Sequence, residues 1–453
     1  MTRIANPLRP ASTAPRPYHF PDFTRRRLDN GLTIWLVPII GSALTNVHLL
    51  FDAGAASEDE PHAGVAALTA QLLVTGTRRL DGGAFAEASE RLGIEVSSES
   101  SWDSARAAFQ SLSGHLAEGL GLLSEMVREP RLDPTEFERL KAERLADILQ
   151  SRADPGRLAD EMFLRHVYAD AVPYRRPSAG TPETVGALKL DDVRDFHATN
   201  YLPGSAHLIV AGGFEPEAVL SAAREALGDW QGEGPVHRSI TPQAQGGRRL
   251  VLVDRPGSVQ SELRVGQVGI DRHDPRYFPA TVMAALLGGV FGSRLNMRLR
   301  EELGYTYGAH ATFDPRRSAG PFAARAAVQT EVTVPAIREL LAQLDLMRST
   351  PPAVDELAEV KAYLVGVFPL RFETTGGVAA AIEPLAIYGL PDDYWTSYRA
   401  RIEAVTPNDC HAAAVELIQP DELLILLTSD ASALRDELAA ANLGPLEVEA
   451  AAE

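Results

Sequence analysis

Lysine is close to absent from this chain, occurring only at positions 141, 189 and 361. Almost all positive charge is therefore arginine, which reads as codon usage rather than function. Cysteine is rarer still. Cys410 stands alone, which excludes a disulfide framework and a cysteine-based metal cluster and leaves an inert packing residue in a helical pattern. Long apolar runs are missing, so no membrane span is expected. The opening MTRIANPLRPASTAPRPYHFPDF carries basic residues but no apolar signal-peptide core, and a cytoplasmic chain is the expectation. Basic charge is in deficit: 43 Lys and Arg against 61 Asp and Glu give −18. That balance argues against nucleic acid or an anionic membrane as the main partner. The eleven histidines are scattered, and no two are three or four apart, so no helical face offers a histidine pair to a metal. His62, preceded by Glu58, Asp59 and Glu60, comes nearest to a ligand cluster, and a solvated acidic loop accounts for it. No nucleophile elbow, P-loop or well-placed dinucleotide turn is present either.

What is present is a grammar of strands and helices that runs twice. With 453 residues, the chain is too long for one hydrophobic core, and two domains are the default. A Pro-rich arm over residues 1–22 precedes a first domain at 23–231. That domain opens on the hairpin TRRRLDNGLTIWLVPI, turning at Asp29-Asn30-Gly31. A strand at 45–51 and helices near 63–74 and 83–92 follow. Then come strands at 95–101 and 106–112 and helices at 116–127 and 134–151. A loop at 169–188 leads to a helix at 190–199, a strand at 207–212 and a helix at 216–227. Residues 232–248, rich in Gly, Pro and polar side chains, are the expected linker. The same order then restarts over 249–446, with strands at 250–254 and 262–269 and a helix at 276–287. The expected fold is therefore α+β, two homologous domains from an internal duplication, each an antiparallel-rich sheet packed with helices.

One stretch is denser than the rest: GGVFGSRLNMRLREELGYTYGAH, residues 288–310. Ser293 can cap a short helix, Leu295, Leu299 and Leu303 form its buried stripe, and Gly304 stops it. Period-2 alternation then sets Tyr305 and Tyr307 on one face of a strand expected over 305–313. Arg300 precedes Tyr307 by seven residues. A guanidinium and a phenol so placed can converge on one carbonyl oxygen.

The order of these motifs resembles the pitrilysin/insulinase family of inverted-motif zinc peptidases, in its short-subunit, two-domain form. Asn30-Gly31-Leu32, Pro173-Tyr174 with Pro177 and Gly180, Tyr201 with Pro203, and Gly212 add weaker marks over about 400 residues. That family's first domain carries G-[LV]-A-H-x-x-E-H, two histidines for zinc and a glutamate for the water. The matching stretch here is Gly64-Val65-Ala66-Ala67-Leu68-Thr69-Ala70-Gln71. The resemblance therefore implies that both histidine positions are lost, to Ala67 and Gln71, and the base to Ala70. The third ligand position, counted seven residues on from Glu143, falls on Gln150. No metal site and no cofactor are expected in this chain. The family's second-domain pattern G-G-x-x-S-R-L…L-R-E-x-x-G-x-x-Y does persist, as Gly288-Gly289, Ser293-Arg294-Leu295, Leu299-Arg300-Glu301, Gly304 and Tyr307. It implies that Arg300 and Tyr307 bind substrate and stabilise an oxyanion, with Arg298 and Tyr305 the runner-up pair at the same spacing and Gly288, Gly289 and Ser293 lining the peptide site. The implied partner is a homologous subunit with an intact H-x-x-E-H, holding the zinc and closing a heterodimeric clamshell on a peptide substrate. The alternatives are a non-catalytic scaffold and a peptide-presenting homologue, for example in the processing of a precursor peptide.

Overall fold

The computed structural model describes residues 15–235 and 240–451. Its strands are β1 (Thr24–Arg27), β2 (Thr33–Pro38), β3 (Leu44–Phe51), β4 (Glu95–Ser100), β5 (Ala105–Leu112), β6 (His207–Gly212), β7 (Arg249–Asp254), β8 (Gln260–Val268), β9 (Ala309–Phe313), β10 (Pro321–Gln329), β11 (Leu424–Ser429) and β12 (Leu446–Ala450). They build two six-stranded sheets, ordered β1-β2-β6-β3-β5-β4 and β12-β7-β11-β8-β10-β9. Apart from the outer strand the orders correspond one to one. In the first sheet one parallel pair (β2 with β6) sits in an otherwise antiparallel run; in the second, β7 runs parallel to both β11 and the outer strand β12, and the remaining pairs are antiparallel. Two copies of one topology are what an internal duplication leaves.

The opening hairpin forms as its turn residues demand. Gly31 takes φ +94°, and a Cβ there would stand 3.0 Å from the backbone of Gly204. The Asn30 amide donates to the carbonyls of Leu227 and Trp230 at 2.7 and 3.0 Å, pinning the turn to the end of a distant helix. Residues 18–20 of the arm are anchored too. Phe20 is buried, its ring 5.1 Å from Phe372 and 6.3 Å from Trp395 in the second half.

Both sheets are covered on both faces, which explains why their central strands read as unbroken apolar runs rather than alternating ones. In β2, Ile34 and Leu36 join the core of the first half, while Trp35 and Val37 face the other way. Those outward residues, with Leu50, Ile209 and Ala211, are covered by helix Thr375–Tyr388 from the second half through Val378, Ala379 and Ile382. Conversely, helix Pro155–Val167 of the first half lays Leu158, Met162 and Phe163 on Val251, Val253, Leu424 and Leu426 of the second sheet. The halves thus exchange a helix. Each exchange carries a polar tie: Glu383 meets His48 at 2.6 Å and Arg106 at 2.9 Å, and Asp160 meets Arg264 at 2.5 Å. Helix Pro155–Val167 forms where no element was expected, and a short helix, Pro182–Ala187, forms within the stretch 169–188 expected as loop. Thr181 caps the short one by accepting from the N–H of Thr184. Cys410 is fully buried, and burial pushes its thiol up to about 12, in keeping with a packing role. No described helix is long and apolar enough to cross a membrane.

Candidate functional site

Helix Val65–Leu73 holds the positions where the family motif would bind metal. Its entry is tight: Gly64 has φ +98°, and a Cβ there would meet the carbonyl oxygen of Ala179 at 2.8 Å. Glu58 closes the helix N-terminus, one carboxylate oxygen accepting from the N–H of Gly64 at 3.0 Å and the other from Ala66 at 2.8 Å. This overturns the solvated-loop expectation for Glu58. It is buried and does the work of a cap, because two orphan N–H groups need an acceptor and no local side chain supplies one. His62 stays at the surface, with Nδ1 2.7 Å from Asp59.

Ala67 and Ala70 are buried methyl groups, and the buried Oε1 of Gln71 and Oγ1 of Thr69 have no hydrogen-bond partner among the described residues. Gln150 is exposed near the end of helix Pro134–Ala153. The same helix turns Phe137, Leu140 and Ile148 inward. Half-buried Arg144 completes that stripe, and burial lowers its pKa. Methyls and amides do not fit zinc, which takes thiolate, imidazole or carboxylate. Among the described residues no group of three His, Cys, Asp or Glu could hold a metal ion.

The second site residues lie on the other half. Helix Tyr277–Ala284 widens into a π turn over 285–289 that brings Gly288 against β9, where a Cβ would stand 2.3 Å from the N of Ala311. Only glycine allows that approach. The next helix, from Arg294, widens similarly over Asn296–Glu302. Asn296 ties the stretch together: its amide donates to Ser293 Oγ at 3.1 Å and to the Val290 carbonyl at 3.2 Å, while its Oδ1 accepts from the N–H of Ala309 at 2.9 Å. Ser293 therefore receives a side-chain hydrogen bond rather than capping a backbone N–H. Leu295 and Leu299 are buried as the stripe requires, whereas Leu303 is half-buried, because the widened turn rotates it off the stripe.

The expected strand over 305–313 begins only at Ala309. Gly304 sits at φ +67°, and Thr306 Oγ1 both donates to the Gly308 carbonyl and accepts its N–H, folding residues 304–308 into a turn. Tyr305 and Tyr307 consequently do not share a strand face. Tyr305 packs against the core, while Tyr307 is 94% exposed. Arg298 is engaged by Glu339 at 2.8 Å and Glu302 at 2.8 Å.

Arg300 stands in a groove of about 500 Å³. Its Nε donates to Glu301 at 2.9 Å and its guanidinium lies 3.8 Å from the ring centre of Phe291, itself 74% exposed. Its Nη2 is buried and has no partner among the described residues. Arg264, His310 and Arg325 line the same groove, and Tyr307 does not. Burial, and next the charge of Arg325, lower the pKa of His310 and keep the imidazole neutral near pH 7. Sequence reasoning missed His310 and Arg325. The signal was there in the pairing of two strands around the Asp314-Pro315 to Ser318-Ala319-Gly320 turn, but register is not readable until both strand ends are fixed.

Residues 41–177 match the family described as Insulinase (Peptidase family M16), and residues 187–364 match the Peptidase M16 inactive domain. A Helicobacter pylori protein named non-peptidase homolog YmxG is 25% identical over 334 residues, 72% of this chain and 76% of that protein. An uncharacterized zinc protease of Streptomyces coelicolor is 25% identical over 383 residues, 81% of this chain and 82% of its own length. Among solved structures, a peptidase M16 inactive domain from Pseudomonas fluorescens superposes with a TM-score of 0.84 at 25% identity, covering 90% of this chain and 98% of that one. A chain of Complex III2 from Candida albicans shares the fold at a TM-score of 0.77 and 16% identity, covering 93% of this chain and 99% of that one. Two matched domains, relatives aligned over most of the chain and a shared fold lead to one placement: the chain belongs to the insulinase (M16) peptidase family.

Proposed function

We propose that this chain is the non-zinc subunit of a heterodimeric M16 peptidase. A homologous subunit with an intact H-x-x-E-H supplies metal, ligands and base. This chain supplies peptide contacts. The observation that carries the reading is an asymmetry within one molecule. The expected metal-ligand positions are Ala67 and Gln71 and the base position is Ala70, yet Arg300 is kept at a groove wall with a buried donor that nothing among the described residues accepts. An uncompensated buried donor is destabilising, and a substrate carbonyl or the oxyanion it becomes is the acceptor such a donor suits. Tyr307, exposed on the adjoining turn, offers a second donor to a peptide lying across the groove.

Co-expression with the H-x-x-E-H homologue encoded in the same host tests this. The isolated chain is expected to hold no stoichiometric zinc and to cleave no peptide, and the pair to cleave unstructured peptides. In the pair, Arg300→Ala should lower kcat by roughly 10²–10³ and Tyr307→Phe by a similar or smaller factor, as loss of an oxyanion donor does. Zinc and peptidase activity in the isolated chain refute the reading. A pair whose rate ignores both substitutions leaves a scaffold or a peptide-presenting subunit instead.

A further inference from the structure

The groove that holds Arg300 contains a charge arrangement that the proposed chemistry does not use. Strand register sets His310 of β9 directly beside Arg325 of β10, and Arg325 directly beside Arg264 of β8. Like charges abreast in a sheet are destabilising. Two members of this row have visible relief. Arg264 is held by Asp160 at 2.5 Å and Glu262 at 3.1 Å, and also donates to the Gly156 carbonyl at 2.9 Å. His310 is kept neutral by its surroundings. Arg325 has no such relief. It is exposed, and among the described residues it makes no hydrogen bond or ion pair.

The free charge of the groove is of one sign. Glu262 is the only carboxylate in its wall among the described residues, and Arg264 occupies it. The uncommitted charged groups are donors: the whole fork of Arg325 and the buried Nη2 of Arg300. Phe291 adds an exposed apolar flank beside them. A free guanidinium fork matches a carboxylate in shape and charge. The arrangement is conspicuous in a chain whose net charge is −18, since the rest of the surface repels acidic ligands and this groove attracts them.

We propose that the groove is a specificity site for an acidic side chain of an extended peptide, with Arg325 reading the carboxylate and Arg300 holding the neighbouring backbone. This names a substrate class for the site described above and rests on Arg300 being a peptide contact. The selectivity itself needs no partner subunit.

The test therefore uses the full purified chain alone. Two fluorescein-labelled, C-terminally amidated decapeptides, differing only in central Glu residues against Gln, are titrated by fluorescence anisotropy. Amidation leaves the side-chain carboxylates as the only difference. The Glu peptide is expected to bind about tenfold tighter or better, the usual effect of one charge-assisted hydrogen-bonded contact. Arg325→Gln is expected to bring the two peptides to within about twofold of each other. Arg435→Gln, an exposed arginine on the distant helix Ala431–Ala440, removes the same net charge and should leave the preference intact. Equal affinities, a preference that survives Arg325→Gln, or no binding of either peptide overturns the assignment. Displacement of the acidic peptide by low-millimolar inorganic phosphate also overturns it, reassigning the groove to a small anion. Failure of the co-expressed pair to cleave peptides leaves this result untouched, so the two readings fail separately.

Discussion

Replacing Asp103 should loosen the joint between the two halves, and the structure allows the size of the effect to be worked out. Asp103 is buried between β4 and β5, with three donors converging on it. Tyr174 of the first half donates its hydroxyl to Oδ1 at 2.7 Å. On Oδ2, the second half contributes the Arg317 N–H at 2.9 Å and the Tyr388 hydroxyl at 3.2 Å. Arg317 is held independently by Asp52 at 2.5 Å and the Ile387 carbonyl at 3.1 Å, so it stays in place when Asp103 goes. Hydrogen bonds to a charged acceptor are worth about 1.5–3 kcal/mol each, and three give an upper bound of about 5–9 kcal/mol. Asp103 also borders a cavity of about 1030 Å³, so water can reach and partly satisfy the orphaned donors. Asp103→Ala is therefore expected to cost about 3–5 kcal/mol. Asp103→Asn keeps the acceptor for Tyr174 but turns an NH₂ group toward Oδ2's two donors. The Tyr388 hydroxyl can rotate to accept from it, whereas the Arg317 N–H cannot, which sets the cost at about 1–3 kcal/mol. Guanidinium unfolding of the three proteins measures both values. An alanine variant within about 1 kcal/mol of the parent, or an asparagine variant less stable than the alanine one, refutes the reasoning.

Two further perturbations probe other joints. Burial pushes Glu58 up to about 7, despite the two N–H groups that favour its charged form. The folded chain then keeps a proton that the unfolded chain releases above its ordinary carboxylate pKa near 4.5. Stability from this group is thus full below about 4.5 and is lost as pH rises toward about 7, at up to about 1.4 kcal/mol per pH unit. Glu58→Gln should remove that slope, and a parent-minus-variant difference that stays constant from pH 5 to 8 sinks the argument. Phe20→Ala should cost about 3–4 kcal/mol by emptying the aromatic pocket at Phe372 and Trp395, while Phe20→Leu should cost far less. Thermal unfolding reads both, and equal stabilities for the two variants would show that the arm is not part of the core.

Much of the fold was legible because apolar periodicity and turn chemistry are local. The hairpin at Asn30-Gly31, β6 and the helix Pro216–Leu227 fall where residue pattern alone places them. Helix Pro155–Val167 was not legible. Its buried side chains answer to a sheet more than eighty residues further on, and its polar positions interrupt the stripe: Asp160 ties to Arg264 of that sheet, while Glu161 and Arg157 reach back to Arg152 and Ser151 of the preceding helix. At the site, the stretch 288–310 was recognisable by its glycines, but its geometry was not. The π widening and the turn made by Thr306 depend on Asn296 and on contact with β9, neither of which leaves a periodic trace. Glu58 was misread for a related reason, since a cap that accepts from N–H groups six and eight residues ahead lies outside the usual local capping pattern.

The exchanged helices set a timetable for making the molecule. The first sheet is complete once residue 212 has emerged, yet the apolar face bearing Trp35, Val37, Leu50 and Ile209 stays open until helix Thr375–Tyr388 has been synthesised. At translation speeds of about 5–20 residues per second, that interval is roughly 9–35 s. For that time the nascent chain carries a bare, aromatic sheet surface with no cover of its own. Contacts closed over such sequence distances also slow the search for the native topology. The first half thus depends on chaperone shielding, or on slow production, in a way that a domain with its own covering helix does not.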